Sequence, residues 1–241
     1  MARTLAVVAF TGLAVAVVSL GAAGAIGKHE FDDGGFDFSI FDGRPACGTI
    51  DGAGSMREID WDGADYVDLS VPATVHFHAG NGDRLIVRGE PQTIAHLRVR
   101  NGHIEMNCHV RHGRRGDIDI TLPGQTFRKF AISGSGKMDL EGLDQDALKV
   151  SISGSGKIRA GGHVDRLDVH ISGSGDADLG ALDAEEVKVH IAGSGNTDIA
   201  PREKADIHIS GSGNVNLHSY PVEMETHIAG SGRIRNAGGD I

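Results

Sequence analysis

The chain has 241 residues, a formal net charge of -10 and 36 glycines, while only 5% of its residues are aromatic. Glycine at about twice its usual share of roughly 7% is typical of collagen, linkers or tightly turned repeats. The Gly-X-Y period of collagen is missing and short apolar segments run throughout, so tightly turned repeats are favoured. The negative charge argues against a nucleic-acid partner, because phosphate backbones are bound by clustered Lys and Arg.

The first residues have the features of an export signal. Arg3 is followed by an uncharged, largely apolar stretch, 4–27, and the small residues Ala23-Gly24-Ala25 offer a cleavage site. We therefore predict an exported protein with a signal peptide at 1–25, located in the periplasm, at the outer-membrane surface or outside the cell. The stretch is also long enough to span a bilayer. An uncleaved anchor reaching residue 27 stays open, and membrane contact is expected only in that case.

Residues 26–55 are rich in Gly, Asp and Phe without a sustained period, which predicts a flexible acidic linker. From residue 56 to 129, short alternating segments are separated by turn signals, and only 92–96 is expected to hold a helical turn. Cys47 and Cys108 are the only cysteines. In an exported protein they can form one disulfide, but the sequence does not show that they meet, and two free thiols are the alternative.

From residue 130 onward the sequence repeats. Gly-Ser-Gly occurs six times, at spacings of 20, 19, 20, 18 and 19 residues, and each copy lies between two alternating apolar segments. We expect each copy to form a sharp corner between two strands, since a residue without Cβ permits positive φ and close backbone approach. The corner glycines are Gly134, Gly136, Gly154, Gly156, Gly173, Gly175, Gly193, Gly195, Gly211, Gly213, Gly230 and Gly232.

A period of this length indicates units that bury their apolar faces only by stacking. The predicted fold is all-β, a parallel β-helix or β-solenoid spanning 56–241, with six coils of about 19 residues in 130–241 and less regular coils in 56–129. Two columns of side chains are expected in its interior. They are Ile132, Ile152, Ile171, Ile191, Ile209 and Ile228, and Met138, Ile158, Ala177, Val215 and Ile234, with Thr197 as a polar exception in the second column.

The recurring pattern x-His-Ile-Ser/Ala-Gly-Ser-Gly-x-apolar-x-apolar, as in the run from His170 to Gly175, resembles the GIN-domain family of auto-transporter adhesin heads. The resemblance extends from about Met56 to the end of the sequence. It implies a bacterial envelope or surface protein with a β-helical body, and it brings no catalytic residues with it.

No set of acidic residues recurs around the predicted corners as a glycan-cleaving groove requires. The charges after the corners instead predict pairing between coils, such as Arg159 with Asp139 and Asp178. We therefore expect a non-enzymatic adhesion, recognition or structural module without a cofactor, whose partner is an unidentified envelope or extracellular protein or glycan. A polysaccharide-acting enzyme and an envelope filament that self-associates through its end strands are the alternatives.

Four histidines share one phase of consecutive repeats and are expected to point outward: His170, His190, His208 and His227. The simplest interpretation is an exposed polar stripe. Metal binding by two neighbours and pH sensing are the alternatives, because a straight column cannot bring four rings to one ion. A second candidate metal site is a set of stacked oxygen ligands for calcium, formed by Asp176, Asp178, Asn196 and Asp198.

Overall fold

The computed structural model describes residues 47–50, 52–80, 82–108 and 117–236, together with the backbone of a short strand at Gly239–Asp240. The predicted signal peptide or anchor lies outside the described residues, as does most of the predicted linker. In the described part of the chain, no helix is both long and apolar enough to cross a membrane.

The N-terminal part consists of short strands and one helical turn, close to the segments predicted from alternation. Their bounds are β1 (Met56–Asp60), β2 (Tyr66–Leu69), β3 (Thr74–His78), β4 (Arg84–Arg88), α1 (Pro91–Ile94), β5 (Leu97–Arg100), β6 (His103–Met106) and β7 (Asp119–Thr121). In β2, β3 and β4 buried and exposed side chains alternate, as expected of a sheet with one face on a core.

The repeat region is a stack of parallel strands. Its strands are β8 (Lys129–Gly134), β9 (Lys137–Gly154), β10 (Lys157–Gly173), β11 (Asp176–Gly193), β12 (Asn196–Gly211), β13 (Asn214–Leu217), β14 (Glu223–Gly230), β15 (Arg233–Asn236) and β16 (Gly239–Asp240). Each strand from β8 to β12 pairs in parallel with its equivalent in the next coil, and β12 pairs with both β13 and β14. The predicted β-solenoid of about six turns is confirmed.

One further coil precedes the repeats and has no Gly-Ser-Gly corner. β2 pairs in parallel with β8, and β3 pairs in parallel with β9, so the segment 66–78 stacks directly on 129–141. The residues between these segments fold over the far side of this coil. There β6 and β7 add parallel strands, whereas the pairs β1–β4, β4–β7 and β5–β6 are antiparallel. Much of the region predicted as less regular coils is therefore an antiparallel cap.

The Gly-Ser-Gly corners stack with almost no space between coils. The first glycine of every copy has φ between +118° and +137°, a region that L side chains rarely adopt. A Cβ on Gly173 would lie 2.6 Å from the carbonyl oxygen of Gly154, and a Cβ on Gly175 would lie 2.4 Å from Cγ2 of Ile152. From the second copy onward, the first glycine is thus required by both backbone conformation and stacking, and the second by the isoleucine of the preceding coil.

The two predicted interior columns are present, with one correction. In the first column, the isoleucines from Ile132 to Ile209 are at most 2% exposed, but Ile228 is 42% exposed. The prediction for Ile228 was wrong because no described strand covers the outer edge of β14. Thr197 is fully buried, and its hydroxyl donates a hydrogen bond to the Ala177 carbonyl at 2.9 Å, which satisfies the polar group in an apolar interior.

The cap is held by a disulfide and an aromatic cluster. Cys47 and Cys108, whose pairing the sequence left open, are joined with their Cα atoms 5.0 Å apart. The described part of the predicted linker contacts the helical turn, where the Ile50 amide donates to Oε1 of Gln92 at 2.8 Å. Aromatic rings fill the coil beneath the cap at centroid distances of 5.3 to 5.6 Å: Trp61, Phe77, Phe127 and Phe130.

Candidate ligand-binding groove

The four histidines occupy one outward column because the residue before each interior isoleucine faces the opposite side of its strand. His170, His190 and His208 are register partners on β10, β11 and β12, and His227 follows on β14. Their rings lie 5.0, 5.0 and 5.8 Å apart between centroids, with interplanar angles of 36°, 28° and 40°. The side chains of His170 and His208 are 43% and 42% exposed, so one edge of the column faces solvent.

Two of the rings have a carboxylate beside them on the same strand. Nδ1 of His170 lies 3.0 Å from Oδ1 of Asp168, and Nδ1 of His208 lies 3.1 Å from Oδ1 of Asp206. All four atoms are buried, and none of them makes a hydrogen bond within the described residues. In both rings Nδ1 faces the carboxylate. Nε2 is then the ring nitrogen left for a ligand.

A lysine stands beside the ring between these two pairs. Lys188 precedes His190 by two residues on β11, and its ammonium lies 3.5 Å from Asp206 on the next coil. The pKa of His190 is lowered by partial burial first, and then by the neighbouring rings of His170 and His208 and by Lys188. The negative charge of Asp168 partly opposes this shift. The column therefore contains one ring that resists protonation between two that have carboxylate partners.

A groove runs along this column. It has a volume of about 410 Å³ and is bordered on one side by the histidines and on the other by the outward residues two positions later, which are Ser153, Ser172, Ala192 and Ser210. The groove crosses four consecutive strands from β9 to β12 and reaches His227 on β14. It therefore presents an imidazole on each of β10, β11 and β12, and a serine hydroxyl on β9, β10 and β12, with Ala192 in the serine position on β11.

The candidate calcium ligands lie on another face, just after the corners. Asp176 pairs in register with Asn196, and Asp178 with Asp198, as the repeat predicted. Their side-chain oxygens have protein partners: Asn196 donates to Asp176 at 3.0 Å, and Arg159 donates to Asp178 at 3.2 Å. Oδ1 of Asp198 accepts a hydrogen bond from Asn216 at 3.0 Å and lies 3.1 Å from His218. Calcium binding at these oxygens stays a prediction, and so does metal binding by the histidine column.

The cap brings three further potential ligands together. Cys47, His96 and Cys108 have ligand atoms within 4.8 Å of one another. The two sulfurs are joined to each other, and Nε2 of His96 lies 2.8 Å from the Gly48 carbonyl oxygen. The cluster is therefore a structural junction between the cap and the preceding segment. It is the only such group of three among the residues that the structure describes.

Residues 109–221 match the family described as "Putative auto-transporter adhesin, head GIN domain". The resemblance to the GIN-domain family is confirmed over this segment, which is shorter than the range from about Met56 to the end of the sequence that was expected. The matched segment includes β7 to β13 and three of the four column histidines, all but His227.

The fold of this chain is shared by a solved structure, and two others are similar to it with lower TM-scores. A putative adhesin from Bacteroides fragilis has a TM-score of 0.59 at 19% identity, covering 75% of this chain and 95% of its own. A putative lipid-binding protein from Parabacteroides distasonis has a TM-score of 0.47 at 16% identity, covering 78% and 98%. A putative adhesin from Parabacteroides merdae has a TM-score of 0.48 at 14% identity, covering 78% and 97%. No curated protein matches the sequence.

Sequence reasoning identified the histidine column but not the carboxylates that accompany it. The signal is the Asp-x-His spacing at Asp168 and His170, and again at Asp206 and His208. Residues two apart on a strand share a face, so the spacing alone predicts that each pair meets. The serine border of the groove was likewise not predicted, although the recurring pattern has Ser or Ala at this position, immediately before each corner.

Proposed function

We propose that this protein is an exported, non-catalytic recognition module of a bacterial envelope, and that it binds a linear glycan along the histidine groove. The observation that supports the proposal most strongly is the groove itself, with imidazoles along one border and three serine hydroxyls, interrupted by Ala192, along the other. The adhesin description of the family agrees with a role in binding at a surface.

The spacing of polar groups in the groove fits a repetitive ligand. The rings of His170, His190 and His208 recur every 5.0 Å, so their free edges form a straight row of hydrogen-bonding nitrogens. A linear glycan offers hydroxyl groups along its whole length, and these can both donate to and accept from imidazole and serine. Such a ligand gains a small contribution from each coil, and the sum over several coils gives useful affinity.

The solenoid also limits the entropic cost of binding. Each groove residue from β9 to β12 is fixed between two hydrogen-bonded neighbouring strands, and the rings of His190 and His208 stack on each other. Little side-chain freedom remains to be lost when a ligand binds, which favours affinity from modest contacts. A groove of this kind holds a linear glycan in one orientation without distorting it.

The alternative of a glycan-cleaving enzyme receives less support from the described residues. The two carboxylates nearest the groove, Asp168 and Asp206, each lie against a histidine and within 3.5 Å of a lysine. Glycoside hydrolysis requires two carboxyl groups facing each other across the scissile bond. The geometry here places acids along the back of the column instead of on opposite borders of the groove.

The test is a glycan array probed with the parent protein and with a His190→Ser/His208→Ser double variant. Serine is a conservative choice, because Ser151 already occupies this phase on β9. We expect the parent to bind a set of linear glycans and the double variant to bind them about tenfold more weakly or worse, through loss of two hydrogen-bonding rings. A His163→Ser variant is the control, since His163 lies outside the groove beside Asp165.

Three outcomes would overturn the proposal. The parent could bind no glycan, or the double variant could bind as tightly as the parent and the control. The third is the appearance of new reducing ends when bound glycans are incubated with the protein, which would indicate the enzymatic alternative. If the parent binds an envelope protein in place of a glycan, and the double variant does not, then the groove is a binding site but its proposed ligand is rejected.

A further inference from the structure

The strand β14 lies at the edge of the histidine-bearing face and is unlike the strands before it. In β12, the three interior residues Ala205, Ile207 and Ile209 are at most 1% exposed. Their register partners on β14 are Met224, Thr226 and Ile228, which lie in a strand exposed along its whole length. β14 pairs only with β12 among the described strands, so its outer edge leaves backbone groups and apolar side chains uncovered.

The exposed apolar side chains of the described residues are concentrated at this end. Four of the five large hydrophobic residues that are exposed lie on β14 or in the segment leading to it. They are Tyr220 at 69%, Val222 at 90%, Met224 at 37% and Ile228 at 42% exposed; the fifth is Met56 on β1. A long, uncovered strand edge next to apolar side chains is a template for pairing with another strand.

We propose that β14 is a dimerisation edge, on which β14 of a second copy of this chain pairs antiparallel about a two-fold axis at Thr226. In this register Met224 of each copy stands opposite Ile228 of the other. Side chains on the interior face of one copy therefore contact side chains on the interior face of the second copy. On the outer face, Glu225 of each copy stands opposite His227 of the other. Directly opposite residues of antiparallel strands share a face, so the cores of the two solenoids become continuous.

The charge pattern on the outer face supports a second copy over other occupants. The column two residues before the histidines alternates in sign through Lys149, Asp168, Lys188 and Asp206, and neighbouring members pair at 3.4 and 3.5 Å. The alternation ends at β14, where Glu225 stands beside Asp206. Like charges opposite each other on neighbouring strands are destabilising. His227 of the second copy would place a group that can carry positive charge on the free side of Glu225.

The symmetry of this contact fixes the size of the assembly. Each copy uses the same strand, so the interface is isologous and closes at a dimer. An open filament would require β14 of one copy to pair with the opposite end of the next copy. That end carries the antiparallel cap, and its coil edges are already paired with β6 and β7. This inference is independent of the glycan proposal, because it concerns the strand edge and not the groove.

The first experiment is sedimentation equilibrium of the purified full chain over a wide range of concentration. We expect a reversible dimer for the parent and a monomer for Ile228→Lys, which places a charge among the apolar contacts. Met56→Lys is the matched control, since it replaces another exposed hydrophobic residue far along the chain, and it should dimerise as the parent does. Circular dichroism of each variant checks that the solenoid is folded.

The second experiment tests the register by exchanging charges. His227→Glu places two carboxylates opposite each other at both ends of the pairing and should weaken the dimer about tenfold. Combining it with Glu225→Lys restores opposite charges in exchanged positions and should recover most of the affinity. A merely structural effect of either substitution would not be rescued by the other.

Several results would overturn the proposal. A parent that remains monomeric, with β14 amides protected from hydrogen exchange at every concentration, would show that another segment of the same chain covers the edge. A monomer with unprotected β14 amides would leave the edge free. Assemblies larger than a dimer, a dimer that survives Ile228→Lys, or an exchanged-charge variant no tighter than His227→Glu would each reject this interface.

Discussion

The strand edges at the two ends of the solenoid are covered to different extents. At the N-terminal end the edges of β2 and β3 are paired with β6 and β7, and further antiparallel strands, a disulfide and an aromatic cluster lie beyond them. At the other end β15 is paired with the short antiparallel strand β16, but β14 has no described strand on its outer side. Coils that bury apolar residues only by stacking need a cover at each end.

The comparison shows two sources of order in one chain. The repeats rely on corners that permit only glycine and on the parallel register of their strands, and every coil uses this same arrangement. The cap relies on irregular contacts that occur once each. Damage to a corner should therefore affect the whole stack, whereas damage to the cap should remain near the cap.

The largest effect is expected for a corner substitution in the repeats. Gly173→Val combines a backbone at φ +118° with a Cβ 2.6 Å from the Gly154 carbonyl oxygen. Positive φ and overpacking each cost about 1–3 kcal/mol, so we expect a loss of roughly 3–5 kcal/mol in the free energy of unfolding. Denaturant titration measures it.

Two glycines provide the controls for this prediction. Gly48→Val adds a side chain where no atom lies within 4 Å and the backbone is not in the positive-φ region, so it should change stability by less than about 0.5 kcal/mol. Gly134→Ala introduces the same strained φ as Gly154→Ala but into open space, since Gly134 has no glycine corner stacked before it. Equal losses for Gly134→Ala and Gly154→Ala would show that stacking contributes nothing.

A smaller effect is expected when the disulfide of the cap is removed. Cys47→Ala/Cys108→Ala opens a loop of 61 residues and should cost about 2–4 kcal/mol. We expect hydrogen exchange to accelerate in β4, β5 and β6 while the amides of β10, β11 and β12 remain protected, because repeats depend mainly on their nearest neighbours. Uniform loss of protection across the chain would contradict the separation of cap and repeats.

A substitution inside the core should have a smaller effect again. Thr197→Val keeps the side-chain shape and exchanges one hydrogen bond for a buried methyl group in a column of apolar residues. We expect a change within about 1 kcal/mol, since the two contributions oppose each other. Thr197→Ala loses both the bond and a methyl group and should be the more destabilising of the two by about 1 kcal/mol in thermal or denaturant melts. The reverse order would mean that the second methyl group of valine does not fit at this position.

The sequence predicted those parts of the fold that repeat. A fixed spacing of Gly-Ser-Gly identifies both the corners and the residues that stack, so the interior columns and even the exceptional position of Thr197 followed from counting. It could not predict that 66–78 forms a coil, because that coil stacks on a segment 63 residues later and has no corner motif. The prediction that Ile228 lies in the interior was wrong because counting repeats assumes that another coil follows and covers it.

The candidate groove was predictable in part. Alternation places four histidines in one outward column, but the sequence does not reveal a concave surface. The pairing of Cys47 with Cys108 depends on a contact between the start of the described region and the cap, which no local pattern encodes. The unequal surroundings of the histidines could have been derived, since Asp168, Lys188 and Asp206 each stand two residues before a ring.

The smallest effect is expected for His190, which differs from the other rings of the histidine column in its lowered pKa. The lowered pKa of His190 has partial burial as its main cause, followed by the rings of His170 and His208 and the ammonium of Lys188, with Asp168 acting in the opposite direction. A histidine whose pKa is lower in the folded state binds more protons when unfolded, so stability falls as pH drops through the unfolded value of about 6.5. His190→Thr should therefore narrow the difference in melting temperature between pH 7.5 and pH 5.

The matched control for this prediction is His163→Thr. Its ring lies on another face, and its near neighbour is the carboxylate of Asp165, at 3.7 Å. We expect His163→Thr not to narrow the difference in melting temperature between the two pH values. Added salt should reduce the effect of His190→Thr, because it screens the neighbouring charges, while the contribution of burial remains. If His190→Thr leaves the difference in melting temperature between the two pH values unchanged, neither burial nor the neighbouring rings oppose protonation of His190, and the column is a passive border of the groove.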